Sequence, residues 1–477
     1  MEIKTFILND TKQLDKLSCH SHDPEVIELI SKLKSSKYKV QLKNLLSEKV
    51  ISGPMGFQLH TYDYVPENYP DAVKLLQISN INKSGKIITI ERDKYISKEK
   101  NEELKNSQVK KNDLIIAKTG TIGRIALFQE NYKANLNQAL GIIRLKEINK
   151  SIKISPDFIH LYLNSYFAYE QFMKLGGYRA GQSGLSLNEI GSIYIILPDE
   201  NKQKEILNKI NYLKNKISKE MKEYRKYIHK LNTVLDEYTN LDLTNISKTW
   251  IILNEKIFDR IDCYFNSPQL DKIHKIINKL DKNNFEVIEA NRLNIVPIMN
   301  KNEREENKTH LFKYVDIGNT EKDLGWVLGF EEDILFNLPS RAKERVSEND
   351  ILIPRPIGST QGILKVTSEY DGELFTTGNI QIRPKDEDEA ILLWVMLKSD
   401  VMQKQFFYLQ SGCSQPEISP NNFKKYVLFP FPKGKIKEEI IKKSRIHYNT
   451  ALEHRKKIID LKLEVEKVLK KEISKLL

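Results

Sequence analysis

The chain is written twice, and no fold can suit it that does not also come twice. Leu14-Asp-Lys-Leu-Ser-Cys19-His-Ser-His-Asp-Pro24, with apolar residues at helical spacing from Val26 to Leu33, opens one copy. Phe258-Asp-Arg-Ile-Asp-Cys263-Tyr-Phe-Asn-Ser-Pro268, with the same spacing from Leu270 to Leu280, opens the other. Val109-Lys-Lys-Asn-Asp113-Leu-Ile-Ile-Ala-Lys118 answers to Val346-Ser-Glu-Asn-Asp350-Ile-Leu-Ile-Pro-Arg355. Each is a short apolar strand running into a glycine-rich turn, Thr119-Gly-Thr-Ile-Gly123-Arg124 or Ile357-Gly-Ser-Thr-Gln-Gly362. Asn135–Arg144 pairs with Phe375–Arg383, and Leu185–Pro198 with Ile418–Pro432, in the same order. The offset between matching residues falls from 244 to 233, so small insertions and deletions separate the copies. Such self-similarity marks a tandem duplication, here of a mixed α/β unit.

Each copy closes on a long helical pattern. Ile206, Ile210, Leu213, Ile217, Met221, Tyr224, Ile228, Leu231, Leu235 and Tyr238 follow at steps of three and four, with Lys, Glu, Asn and Arg between them. That is the apolar seam of a helix that pairs with another. Ile440, Ala451, Ile458, Leu461, Val465 and Val468 repeat the spacing, with His447 and His454 diluting the seam. A whole globular unit separates the two helices, so an antiparallel pairing is expected, with the units at opposite ends of a rod. The expected divisions are 1–198 and 246–432 for the globular units, and 199–245 and 433–477 for the helices.

The 29% of charged residues and mean hydropathy of −0.48 describe a globular chain rather than a membrane one. No apolar run approaches the ~20 residues that cross a bilayer. Met1–Asp10 carries acids and amides where a secretory apolar region would sit, so no signal peptide is expected. Cys19, Cys263 and Cys413 form no CxxC pair and fit a reducing cytoplasm. The net charge of +12 attracts polyanions, nucleic acid first among them, although a solvated basic surface would read the same way.

The motifs of catalysis are absent. Lys118-Thr-Gly-Thr-Ile-Gly-Arg124 lacks the Lys and hydroxyl that a phosphate loop needs after its second glycine. No HExxH occurs among nine histidines, and His20 and His22 beside Cys19 are matched in the second copy by Tyr264 and Asn266. There is no GxSxG and no kinase set. No Asn/Asp-Pro-Pro-aromatic tetrapeptide is present to hold a flipped adenine, and acidic pairs such as Asp371-Gly-Glu373 are ordinary in so charged a chain.

Asn112-Asp-Leu-Ile-Ile-Ala-Lys-Thr-Gly-Thr-Ile-Gly123, Gly181-Gln-Ser-Gly-Leu-Ser-Leu-Asn-Glu-Ile190, Ile195-Ile-Leu-Pro198 and the turn Gly53-Pro-Met-Gly56 carry a resemblance. The duplicated α/β unit with paired helices resembles the DNA-specificity subunit of type I restriction-modification systems. The second copy departs at Pro354-Arg-Pro356 and Ser414-Gln-Pro-Glu417. The resemblance implies a non-catalytic reader of a split, asymmetric double-stranded DNA site in the cytoplasm, with two target recognition domains and a coiled-coil spacer. It places S-adenosylmethionine in methyltransferase subunits and ATP with Mg in a translocating endonuclease subunit, with no cofactor or metal in this chain. A type IIB-like specificity subunit, a nuclease or a fused methyltransferase, and a coiled-coil scaffold without DNA readout stay open.

Base edges and phosphates are read by Arg, Lys, Asn, Gln, Ser and Thr. The candidate DNA-binding residues are Lys118, Thr119, Thr121 and Arg124; Tyr178, Arg179, Gln182 and Ser183; Arg355, Ser359, Thr360 and Gln361; and Ser411, Ser414 and Gln415. A helix from about Asn201 to Tyr238 would be roughly 57 Å long at 1.5 Å per residue, on the order of 17 base pairs of duplex. If the helices are the ruler, cutting one heptad from both, Lys214–Glu220 with a matching cut near Ile458, shortens the preferred gap. Both half-sequences should stay as they are, and methylome sequencing reads the two quantities separately.

Overall fold

The computed structural model describes residues 23–82, 84–90, 92–120, 122–146, 154–179, 182–244, 246, 268–299, 309–321, 323, 325–411 and 416–477. The opening motifs up to His22 and from Phe258 to Ser267 lie outside these residues, as do the three cysteines. Among the described residues no helix is long and apolar enough to cross a membrane. The chain forms two compact units: one runs up to Ile217 and adds Ile459–Leu477, and the other is Ser218–Ile458.

In the first unit the run Leu114–Ala117 is a strand buried at all four positions, as a continuous apolar run between two covered faces should be. Leu114 and Ile116 point toward Phe158, Ile159, Tyr162 and Phe172 of the helices Pro156–Leu163 and Tyr166–Leu175. Ile115 and Ala117 point the other way, toward Leu76, Ala134 and Leu136 of a second sheet. The result is three layers: helices, a four-stranded antiparallel sheet, and a five-stranded mixed sheet. The first sheet runs Ile51–Ser52, Leu140–Ile143, Leu114–Ala117, Ile125–Leu127. In the second, Val73–Leu76 lies parallel to Ala134–Leu136.

The second unit repeats this plan. Leu311–Val315 lies parallel to Leu374–Thr376, and Ile351–Pro354 sits between Leu364–Lys365 and Asn379–Ile382. Local rules explain the helix starts. Ser186-Leu-Asn-Glu189 closes a capping box, with Glu189 N–H donating to Ser186 Oγ at 3.2 Å and Ser186 N–H to Glu189 Oε2 at 2.8 Å. Pro156 and Pro420 each stand in the first turn behind a capping serine.

One ion pair recurs in both copies. Arg144 donates Nε and Nη2 to the two oxygens of Asp113 at 2.9 and 2.7 Å, and Arg383 does the same to Asp350 at 2.9 and 2.8 Å. Both aspartates are buried. Each also accepts the amide three residues earlier, from Lys110 or Ser347, at 2.7 Å. Asn112 and Asn349 precede them with φ of 70°, a left-handed turn that Asn tolerates.

The long helices are Glu200–Thr233 and Gly434–Ser474. In the first unit Ile206 and Ile210 pack in one core with Leu469 and Ile473, and Lys202 and Lys209 both reach Glu472. In the second unit Glu220 meets His454 at 2.7 Å, Glu237 meets Lys443 at 3.1 Å, and Tyr238 donates to Glu439 at 3.3 Å. Partner numbers fall as the central helix advances, so the helices are antiparallel. The central helix stops earlier than its seam suggests. It ends at Thr233, whose hydroxyl bonds back to the His229 carbonyl at 3.0 Å, a bond that weakens a helix. The chain turns and resumes over Asp236–Thr239, while Leu231 and Leu235 stay buried.

Glu472 is buried, and its bonds to Lys202 and Lys209 hold its carboxyl down at about 2. A depressed carboxyl pKa gives stability that is fully present above the ordinary value of 4.5 and lost as pH falls through about 2. Thermal unfolding between these values should therefore show an acid-induced loss. The variant Glu472→Gln should be less stable at neutral pH and flatter across that window.

Candidate nucleic-acid interface

The strands of the first unit's antiparallel sheet bring three loops to one end. Ser52 ends one strand and Ala117 another, while Ile125 and Leu140 begin their neighbours. The loop from Lys118 to Arg124 joins the inner strand Leu114–Ala117 to the edge strand Ile125–Leu127 there, with Gly120 and Gly123 at φ of 72° and 77°. The Lys118 carbonyl accepts Leu185 N–H at 2.8 Å, and Thr119 bridges Gly184, so the hairpin of Gly177–Arg179 and Gln182–Gly184 lies against the loop. Lys118 N–H donates to the Ala139 carbonyl at 2.9 Å, which adds the 137–139 turn.

The second unit builds the same end with the same bonds. The Arg355 carbonyl accepts Ile418 N–H at 3.0 Å, Pro356 bridges Glu417, and Arg355 N–H donates to Gly378 at 2.9 Å. Sequence correspondences between copies thus become matching hydrogen bonds beneath loops of different sequence.

The candidate residues fall unevenly on this end. Lys118, Thr119 and Arg124 come together with the strands holding Tyr178, Arg179, Gln182 and Ser183, where Tyr178 faces Ser183 and Arg179 faces Gln182 in register. Arg355, Ser359, Thr360 and Gln361 come together with Ser411, which exchanges backbone bonds with Glu417 at 2.8 and 2.9 Å. Thr121, Ser414 and Gln415 lie outside the described residues.

Several charged or polar groups are tied inward. Lys118 is half-buried with Nζ 2.5 Å from Ser52 Oγ, and burial lowers its pKa. Arg124 donates to the Ile81 carbonyl at 3.1 Å. Arg355 donates to Thr377 O at 3.2 Å and forms an ion pair with Glu417. Thr360 is buried and donates to Gln403 Oε1 at 3.0 Å. Ser359 is half-buried, and Gln361 is exposed.

The structure adds a loop that motif reading left as a mere turn. Gly53–Tyr62 continues from Ser52, and Met55, Phe57 and Tyr62 are 62%, 72% and 80% exposed. Gln58 and Asp63 side chains cap its backbone at Met55 and His60, at 2.8 and 2.6 Å. A signal was present: residues 50–62 hold no Asp, Glu, Lys or Arg, in a chain where such residues make up 29%. Among the described residues no group of three His, Cys, Asp or Glu could hold a metal.

Residues 72–226 match the type I restriction modification DNA specificity domain. This stretch takes in the glycine loop, the hairpin and much of the central helix. The specificity subunit of the type I restriction enzyme EcoBI from Escherichia coli is 25% identical over 188 residues. That alignment covers 39% of this chain and 38% of the relative's length. Among solved structures, the S subunit of a type I restriction-modification system from M. genitalium is similar at 15% identity and a TM-score of 0.38, covering 91% of this chain and 95% of that one. The HsdS subunit from Thermoanaerobacter tengcongensis is similar at 14% identity and a TM-score of 0.33, with coverage of 91% and 95%.

The turn at Gly53 admits no side chain, because a Cβ there would stand 1.9 Å from the Asn137 carbonyl oxygen. At Gly56 the nearest atom is the end of the Gln138 side chain, at 3.3 Å. Gly53→Ala should therefore lower stability by about 1–3 kcal/mol, the cost of overpacking, while Gly56→Ala is tolerated. Chemical denaturation of the two variants compares them directly.

Proposed function

We propose that the chain is the sequence-specificity subunit of a restriction-modification complex. It binds a bipartite, asymmetric site in double-stranded DNA and directs adenine methylation and DNA cleavage by partner subunits. The observation that carries this reading is the duplicated loop end: one hydrogen-bonded frame, two different polar loops. A reader of two unlike half-sites needs such a frame, since phosphate contacts set register and loop side chains set sequence. The family match over residues 72–226 supports it, as does the net charge of +12.

In this reading 1–198 and 246–432 are the target recognition domains, and 199–245 and 433–477 are the spacer helices. The chemistry belongs to methyltransferase subunits with S-adenosylmethionine and to an ATP- and Mg-dependent endonuclease subunit, in the cytoplasm. The polar loops face DNA, and Met55, Phe57 and Tyr62 add apolar contacts beside them.

The purified chain should transfer no methyl group and cut no DNA, and gain both activities when partner subunits are added. Tritiated-methyl transfer by the chain alone would refute this. Removing the charges of Lys118, Arg124 and Arg355 should weaken DNA binding by the assembled complex. Each lost phosphate contact should reduce the salt slope by about one, whereas a guanine contact should instead relax one base pair by ~1–3 kcal/mol. Unchanged affinity and slope for all three would remove them from the interface.

A further inference from the structure

The glycine loops are held from behind by donors at matching positions on matching helices. In the first unit these are His160, in the helix Pro156–Leu163, and Asn164, which caps its end. His160 Nε2 lies 3.1 Å from the Gly85 carbonyl and 3.2 Å from the Ile125 carbonyl, and Asn164 Nδ2 donates to Ile125 O at 3.1 Å. Two carbonyl neighbours require a proton on Nε2. In the second unit the pair is Trp394 and Lys398, at the same spacing in the helix Glu387–Lys398. Trp394 Nε1 donates to Ile363 O at 2.9 Å, and Lys398 Nζ donates to Gln361 O at 2.9 Å and to Asp323 O.

The groups being held correspond as well. Gly85 and Gly325 both have φ of 68°. A Cβ on the first would stand 2.5 Å from Ile125 O, and on the second 2.2 Å from Ile363 O. In each unit one helix thus pins a left-handed glycine turn and the exit of the recognition loop together.

The two clamps differ as their loops differ. Seven residues, 118–124, join the first pair of strands, and nine, 355–363, join the second. On the short loop the helix reaches the exit, through an imidazole and an amide. The longer one is gripped further in, by a lysine that reaches Gln361 with its ammonium 5.1 Å over the Trp394 ring. Gln403 adds a third hold, exchanging bonds of 3.0 and 3.1 Å with Thr360. Trp394 and Lys398 are 3% and 7% exposed, so neither is a surface reader itself.

We infer that His160–Asn164 and Trp394–Lys398 are positioning residues for recognition. Each pair sets the conformation of one glycine loop and thereby the discrimination of one DNA half-site. The inference rests on the DNA-reading function proposed above. It predicts a phenotype confined to one half-site that a substitution keeping the hydrogen-bond donor restores, which a packing role would not produce.

The test uses the full chain assembled with its partner subunits, on duplexes carrying single-base changes in one half-site or the other. Lys398→Met keeps the stem against Trp394 but removes the donors. It should lower discrimination in the second half-site about tenfold, equivalent to ~1.4 kcal/mol, and leave the first unchanged. His160→Phe should do the reverse, and His160→Gln, which keeps a donor, should restore the first half-site. Should Lys398→Met fail to fold, Gln403→Leu probes the same loop, with the same expected confinement to the second half-site. Equal loss in both half-sites, or unchanged discrimination in well-folded variants, overturns the inference while leaving the DNA-reading function intact. An unsubstituted complex that distinguishes no sequences overturns that function, and the inference with it.

Discussion

The buried fork between Asp113 and Arg144, repeated as Asp350 and Arg383, underlies the rest of the structure. It sits at the entry to the central strand of each antiparallel sheet, where the carboxylate also caps the turn begun by a left-handed Asn. A strand has a side-chain period of two, so a slip of one residue would exchange its faces. In the first unit Leu114 and Ile116 would turn away from the helices, and Ile115 and Ala117 away from the second sheet. The fork makes that slip costly, because it would leave a buried aspartate without its arginine. With the register held, the strand delivers Lys118 or Arg355 to the same place at its far end.

Much of this was legible in the chain. Four-residue apolar runs became fully buried strands, Ser186-Leu-Asn-Glu189 became a capping box, and motifs matched by order became elements matched in space. Periodicity and capping are local, and they survive folding when the tertiary structure agrees with them. What the chain did not declare was non-local. Thr360 reads as a polar loop residue, yet Gln403 draws it inside. Arg355 reads as a free cation, yet Glu417 neutralises it. The hydroxyl of Thr233, bonded back into the helix, accompanies a break that the apolar seam passes straight through. The exposed aromatic loop at Phe57 was legible only as a missing feature, a run without charge.

The two copies also show which features drift apart after duplication. The fork, the left-handed Asn and the backbone bonds beneath the loops are the same in both. So is Gln171 or Gln405, each bridging the backbone of a closing strand, at Tyr194 or Leu428. Loop length, loop sequence and the donors that hold the loops differ. The frame is constrained by burial and hydrogen bonding, whereas exposed loop tips answer to whatever they touch.

Each long helix contributes a part to each compact unit, and this bears on how the protein comes off the ribosome. The first unit contains nearly all of its strands within the first two hundred residues, yet its core is closed by Leu469 and Ile473. Ser36 donates its hydroxyl to the Leu476 carbonyl at 2.6 Å, across 440 residues of sequence. At about 5–20 residues per second of synthesis, the earliest part of the chain waits tens of seconds or longer for its last wall. During that interval Ile206 and Ile210 present an uncovered apolar stripe. The unit translated first is the one completed last.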